Sequence, residues 1–109
     1  MIIEELRDAI KQGCPIEYTA HCQKRMVERN IYRKDILYAI FNGEIIEDYP
    51  LDENNNYEKS FPSCLILGTK ITEDKKIHVV VGYNNIKVII ISAYYPDNKH
   101  WNSDYKTRR

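Results

Sequence analysis

Apolar residues recur with a helical period over the first forty positions of the chain and with a strand-like one over most of the rest. Ile2, Ile3, Leu6, Ala9 and Ile10 repeat at about 3.6 residues, and Gly13 followed by Pro15 stops that helix. A second helix is predicted from Thr19, a good capping residue, to Asn30. A third runs from about Arg33 to Asn42, with Ile36, Leu37, Ile40 and Phe41 as its apolar stripe and Asn42-Gly43 closing it.

After Gly43 the pattern changes. Glu44-Ile45-Ile46-Glu47-Asp48-Tyr49 reads as an edge strand, and Asp52-Glu53-Asn54-Asn55-Asn56 as a polar loop. Three stronger strands follow, Cys64 to Ile71, Ile77 to Tyr83 and Lys87 to Tyr95, rich in Val, Ile and Tyr. The stretch from Thr72 to Lys75 and the pair Asn84-Asn85 are hairpin-type connections, which make these strands antiparallel neighbours. Val79, Val81, Val88, Ile89, Ile90 and Ile91 are the expected core of the sheet. Helices first and strands after is the α+β arrangement: about three N-terminal helices packed on one face of a four-stranded antiparallel sheet. No repeat or low-complexity linker interrupts it, so a single domain over residues 1–109 is expected.

Sixteen Lys and Arg balance sixteen Asp and Glu, giving zero formal net charge. That argues against a protein that grips nucleic acid by bulk electrostatics. The charge is segregated, however. Glu44, Glu47, Asp48, Asp52, Glu53 and Glu58 are acidic with only Lys59 nearby, whereas Lys24, Arg25, Arg29, Arg33 and Lys34 cluster in one helical region and Lys106, Arg108 and Arg109 end the chain. A neutral protein patterned this way has room for a local anion site. Three cysteines, Cys14, Cys22 and Cys64, leave at least one thiol free and fit a reducing cytoplasm. Acids stand near the N-terminus where a signal peptide would carry bases, and no apolar run approaches the ~20 residues that span a bilayer. A cytoplasmic protein with no membrane partner is expected.

The candidate chemistry sits on the second predicted helix and near the C-terminus. His21, Arg25 and Arg29 lie at i, i+4 and i+8, one stripe of a helix, with Glu28 beside it. Cleavage of RNA without a metal needs a base for the 2′-hydroxyl proton, an acid for the leaving oxygen and cations for the charge on phosphorus. Histidine suits either proton role near neutral pH, and the planar fork of arginine matches phosphate oxygens. His78 opens a strand, on the same face as Val80 and opposite Ile77 and Val79. Trp101 is placed to dock the tail on the core, which would bring Lys106 and Arg108 toward a site.

The chain also resembles a known family. Tyr18-Thr19-x-His21-x-x-x-Arg25-Met26-x-Glu28-Arg29-x-Ile31, then Ile45-Ile46-Glu47-Asp48-Tyr49, Pro62-Ser63-Cys64-Leu65, His78-Val79-Val80-Val81 and Trp101-x-x-Asp104-Tyr105-Lys106-x-Arg108 are similar to the DUF4258 family of small bacterial domains. That family is similar in architecture to RelE/BrnT-like ribonuclease toxins, which have a helical layer on a curved antiparallel sheet. The resemblance implies a metal-independent ribonuclease of the toxin type, with RNA, free or on the ribosome, and an antitoxin protein as partners. Its mechanism would be 2′-hydroxyl attack giving a 2′,3′-cyclic phosphate. His21, Arg25 and His78 are the expected catalytic residues; Arg29, Lys106 and Arg108 are the expected substrate contacts.

Plainer readings stand beside these. His21 in a first helical turn is also a cap-region residue, Arg25, Glu28 and Arg29 also a solvated face of ion pairs, and His78 also a sheet residue satisfied by a neighbour. The set His21, Cys22, Cys64 and His78 has poor spacing for zinc, since adjacent helical residues point about 100° apart. No metal and no cofactor is expected. Cys22 or Cys64 as a nucleophile competes with the ordinary role of free cysteine as a buried small hydrophobe. Zero net charge, the acidic stretch from Glu44 to Glu58 and the lack of a complete catalytic triad also suit a non-catalytic interaction domain.

Overall fold

The computed structural model describes residues 1–50, 61–71 and 73–109. Its elements are α1 (Ile3–Lys11), β1 (Ile16–Tyr18), α2 (Ala20–Arg29), α3 (Arg33–Asn42), β2 (Glu44–Tyr49), β3 (Ser63–Thr69), β4 (Lys76–Tyr83) and β5 (Val88–Tyr94). The three predicted helices and the four predicted strands are present within two residues at most ends. The sheet itself differs from expectation: it has five strands in the order β1-β5-β4-β3-β2, and it is mixed. Ile16, Glu17 and Tyr18 pair in parallel with Val88, Ile89 and Ile90, while the other strands are antiparallel neighbours. Three residues between Pro15 and Thr19 carry no periodic signal, and their pairing is with a strand some seventy residues away. The expected polar loop at 52–56 lies outside the described residues.

Local chemistry fixes the helix ends. The Thr19 hydroxyl oxygen accepts from the Cys22 amide at 3.0 Å and itself donates to the Ile91 carbonyl at 3.1 Å, so one side chain caps α2 and ties it to β5. Asn30 ends α2 in the left-handed conformation, at φ 54°, and the Ile31 amide closes back on the Met26 carbonyl. Asp35, at the third position of α3, accepts from the Tyr32 amide at 2.9 Å. From α1, Arg7 donates to the Ile40 and Gly43 carbonyls at 2.8 and 2.9 Å, satisfying the C-terminal end of α3.

The helices cover one face of the sheet. Leu6, Cys22, Met26, Ile31, Ile36, Ala39 and Ile40 pack on Cys64, Ile66, Ile77, Val79, Val81, Val88, Ile90 and Ala93. Five of the six expected core residues are buried; Ile91 is half-buried, because the register shift against Val80 and Val81 leaves it without a partner on β4. Backbones come close where side chains are missing: a Cβ on Gly68 would lie 2.7 Å from the Ala39 Cα, so glycine is what lets α3 settle on β3.

The opposite face is covered as well. Leu65, Leu67, His78 and Ile89 are all less than 9% exposed, although among the described residues no helix lies over them. The C-terminal segment covers His78, anchored by Trp101, which is 3% exposed and forms a bridge with Arg108. Among the described residues no helix is long and apolar enough to cross a membrane.

Candidate functional site

The residues singled out in the sequence fall on two sides of the sheet. His21, Arg25 and Arg29 sit on α2, in the helical layer; His78, Lys106 and Arg108 meet on the far face, under and within the tail. His21 is exposed. Arg25 pairs with Glu28 at 2.9 Å, one turn along the same helix, with both side chains about two-fifths exposed. Arg29 donates to the Ala93 carbonyl at 2.9 Å, locking the end of α2 to β5. The helical stripe exists as predicted, but it carries one ion pair and one hydrogen bond to the backbone of β5, and the sheet lies between it and His78.

His78 is fully buried at the middle of the sheet. Its Nε2 is 2.8 Å from the Tyr105 carbonyl and its Nδ1 is 3.2 Å from the Tyr94 hydroxyl. The Trp101 ring stands edge-on to it, centroids 4.6 Å apart. Burial holds its pKa below the ordinary value, against the pull of the Tyr105 carbonyl and Glu47 toward the charged form. Both ring nitrogens have hydrogen-bond partners, and the one to the Tyr105 carbonyl ties the tail to β4.

The tail brings its cations onto β2. Lys106 Nζ lies 2.6 Å from Glu44 Oε1, and Arg108 forms a fork on Glu47 with distances of 2.7 and 2.9 Å. The Arg108 guanidinium also lies over the Trp101 ring, 4.6 Å from its centroid. Glu44 and Glu47 are three residues apart, which in a regular strand would place them on opposite faces. The register shift between Ile45 and Glu47 inserts Ile46 as an extra residue, so Glu44 opposite Leu67 and Glu47 opposite Leu65 share the tail face.

Tyr49 completes the group, its hydroxyl donating to Glu47. The Arg108 guanidinium holds the Glu47 carboxyl below the usual range, so it is ionised at neutral pH. Burial and the neighbouring Glu47 carboxylate push the Tyr49 phenol up to about 12, so it keeps its proton. A carboxylate, a protonated phenol and a guanidinium thus converge within reach of solvent, the Glu47 and Arg108 side chains being 23% and 58% exposed. Beside them a groove of about 470 Å³ runs between α3 and the tail, lined in part by Tyr38, Asn42, Glu44, Lys76 and Lys106.

Glu47 and Tyr49 were not among the residues expected from sequence. The available signal was their i, i+2 spacing on an edge strand, opposite in charge to the basic tail. His100 was likewise missed: its Nδ1 bonds both Asp97 carboxylate oxygens, at 2.9 and 3.1 Å. Asp97 also accepts from the Lys99 and His100 amides, so the pair closes an exposed turn after β5.

Cys22 and Cys64 lie in the core between helices and sheet, where burial pushes the Cys64 thiol up to about 12 and raises that of Cys22. The four residues of the weighed zinc set are divided among the helix surface, this core and the far face of the sheet.

A family model described as "Domain of unknown function (DUF4258)" matches residues 18–95, from the end of β1 to the residue after β5. Comparisons with curated proteins and with solved structures return no match. The matched span includes Glu47, Tyr49 and His78 and stops short of Trp101, Lys106 and Arg108.

Proposed function

Since the chain belongs to the DUF4258 family, whose description assigns no activity, the reading rests on its chemistry, and we propose a metal-independent ribonuclease acting at the junction of β2 and the tail. The observation that carries this is the meeting of Glu47, Tyr49 and Arg108 on one solvent-reachable face. Glu47 accepts the proton of the RNA 2′-hydroxyl as its oxygen bonds to phosphorus. The bond from phosphorus to the 5′-oxygen breaks, and Tyr49 returns a proton to that oxygen. Arg108 steadies the charge on the phosphorane, and Lys106 holds a neighbouring phosphate. The product is a 2′,3′-cyclic phosphate and a free 5′-hydroxyl. His78 acts through the tail, by fixing the backbone that presents Lys106 and Arg108. The toxin class, with RNA as substrate and an antitoxin as partner, belongs to the same proposal.

A second reading is favoured by a specific observation. Lys106 and Arg108 are each matched by a carboxylate, Glu44 and Glu47, so the face is electrically closed before any phosphate arrives. In that reading the domain binds a partner and turns nothing over. Incubation of the protein with mixed single-stranded RNA in EDTA, with analysis of product ends, separates the two. Cyclic-phosphate ends lost in Glu47→Gln and retained in a His21→Ala, Arg25→Ala variant support the enzyme and place it on the tail face. Loss in the α2 variant alone moves the site to that helix. No cleavage by the folded wild-type chain favours the binding module.

A further inference from the structure

The outer surface of α2 and α3 carries apolar side chains that the fold leaves uncovered. Val27 is 80% exposed and Tyr32 is 55% exposed. They flank a groove of about 390 Å³ with Met26 and Ile31 in its wall and Gln23 and Arg33 also lining it. A single exposed valine is ordinary; an exposed valine and tyrosine bordering one partly apolar hollow mark a contact surface.

Charge along this stretch of the chain is one-sided. Residues 20–35 contain Lys24, Arg25, Arg29, Arg33 and Lys34 against two acids, Glu28 and Asp35. Glu28 is engaged by Arg25, and Asp35 is fully buried, accepting from the Tyr32 and Ile71 amides. Two of the cations are also pre-positioned, Arg33 over the Tyr18 ring at 4.8 Å and Lys34 near the Tyr32 ring at 5.7 Å. Arg25 is held by Glu28 and Arg29 by the Ala93 carbonyl; Arg33 lines the hollow, Lys34 lies by the Tyr32 ring, and Lys24 is exposed one turn before Val27, all in the helical layer, on the side of the sheet away from Glu47 and Arg108.

We propose that this groove docks an acidic amphipathic helix of a protein partner. Its apolar side chains would enter over Met26, Val27 and Ile31, and its carboxylates would meet Lys24, Arg33 and Lys34. At about 1.5 Å per residue the ten residues of α2 span about 15 Å, enough for two to three turns of a partner helix. RNA would satisfy the cations but would leave the apolar hollow unfilled, and for that reason a peptide fits better. The proposal does not depend on the chemistry at Glu47.

Selection from a displayed library of 16-residue helical peptides against the full chain tests it directly. The expected winners carry Asp and Glu beside apolar residues at i, i+3 or i+4 and i+7, bind less tightly as salt rises, and lose at least tenfold in affinity for Val27→Glu. A Lys24→Glu, Arg33→Glu variant should weaken them to a similar degree. All three positions are exposed, and far-ultraviolet circular dichroism with a cooperative urea transition confirms that the variants fold. No enrichment, winners without acidic residues, or equal binding to Val27→Glu would overturn the proposal. So would a short RNA that binds this face, is lost with the charge reversals and is indifferent to Val27→Glu.

Discussion

The Nε2 of His78 lies 2.8 Å from the carbonyl oxygen of Tyr105. That oxygen only accepts, so Nε2 carries the ring proton, and Nδ1 is left to accept from the Tyr94 hydroxyl. One buried histidine in the middle strand therefore sets the course of a segment 27 residues further on.

Replacing His78 by alanine leaves the Tyr105 carbonyl without its donor and the Trp101 ring without its partner. The cost is about 2–4 kcal/mol, from the lost packing and the orphaned acceptor together. Trp101 is the one tryptophan of the chain, so its emission reports on the tail alone. We expect a red-shifted emission and a lower urea midpoint in His78→Ala, with partial recovery in His78→Gln, whose amide is able to donate to Tyr105. Native emission and midpoint in the alanine variant would remove the anchoring role.

Stability should also fall in acid in two steps. Burial holds the His78 pKa below its ordinary 6.5, so below that pH the unfolded chain takes up a proton that the folded chain resists. Its contribution is complete above about pH 6.5 and declines as the pH drops toward the folded value. Glu47, lowered by Arg108, adds a contribution that is present above the usual carboxylate range and is lost further down. Thermal melts from pH 8 to pH 3 should show both steps in the wild type and only the lower one in His78→Gln. An unchanged upper step in that variant would assign it to another group.

Much of this fold was legible in the local pattern, and what was missed is non-local. Thr19, Asn42-Gly43 and the alternating Val and Ile residues of β4 and β5 announce their elements within a few positions. Ile16–Tyr18 does not, because a three-residue strand is defined only by its partner, Val88 to Ile90. Alternation correctly set His78 apart from Ile77 and Val79. It says nothing of what covers the second face, which is decided by a tail that returns across the sheet. Glu47 was read as one acid among many on an edge strand. Its importance comes from a bulge at Ile46 that turns it toward Arg108, and nothing in the run Glu44 to Tyr49 states where the extra residue falls.

Asp35 shows the same limit on the helical side. Its carboxylate accepts from the Tyr32 amide at 2.9 Å and from the Ile71 amide at 3.2 Å, joining the start of α3 to the segment after β3. Asp35→Ala strands two amide donors at a fully buried position, and about 2–4 kcal/mol should be lost. Chemical denaturation measures the total, and hydrogen exchange at Ile71 should quicken more than at Val79. A loss below about 0.5 kcal/mol, the range of ordinary surface changes, would mean that water replaces the carboxylate at no cost.

Close approach of α3 to β3 gives a steric prediction. A methyl group on Gly68 would press into the Cβ of Ala39 and lie 2.7 Å from its Cα. Gly68→Ala should therefore destabilise by roughly 1–3 kcal/mol, as overpacking does. Adding Ala39→Gly removes the Cβ contact but not the one to Cα, so the double variant should recover only part of the loss, after allowance for glycine within a helix. Additive destabilisation in the double variant would show that the two positions do not share this contact.

The Glu47–Arg108 fork separates a structural role from a chemical one. Both groups reach solvent, so the pair is worth about 1 kcal/mol or less to folding, and Glu47→Gln or Arg108→Gln should melt close to the wild type. If the proposed reaction runs here, Glu47→Gln removes the proton acceptor and should slow RNA cleavage by about 100-fold or more. Arg108→Gln should cost a similar factor, through the charge on the phosphorane. Conversion of Tyr49 to phenylalanine tests the acid: it should slow cleavage of an ordinary 5′-alkoxide leaving group and spare a substrate with an activated leaving group. Rates and melting temperatures measured on the same preparations decide the matter, because loss of activity at native stability belongs to chemistry, whereas parallel loss of both would make the fork only a strap for the tail.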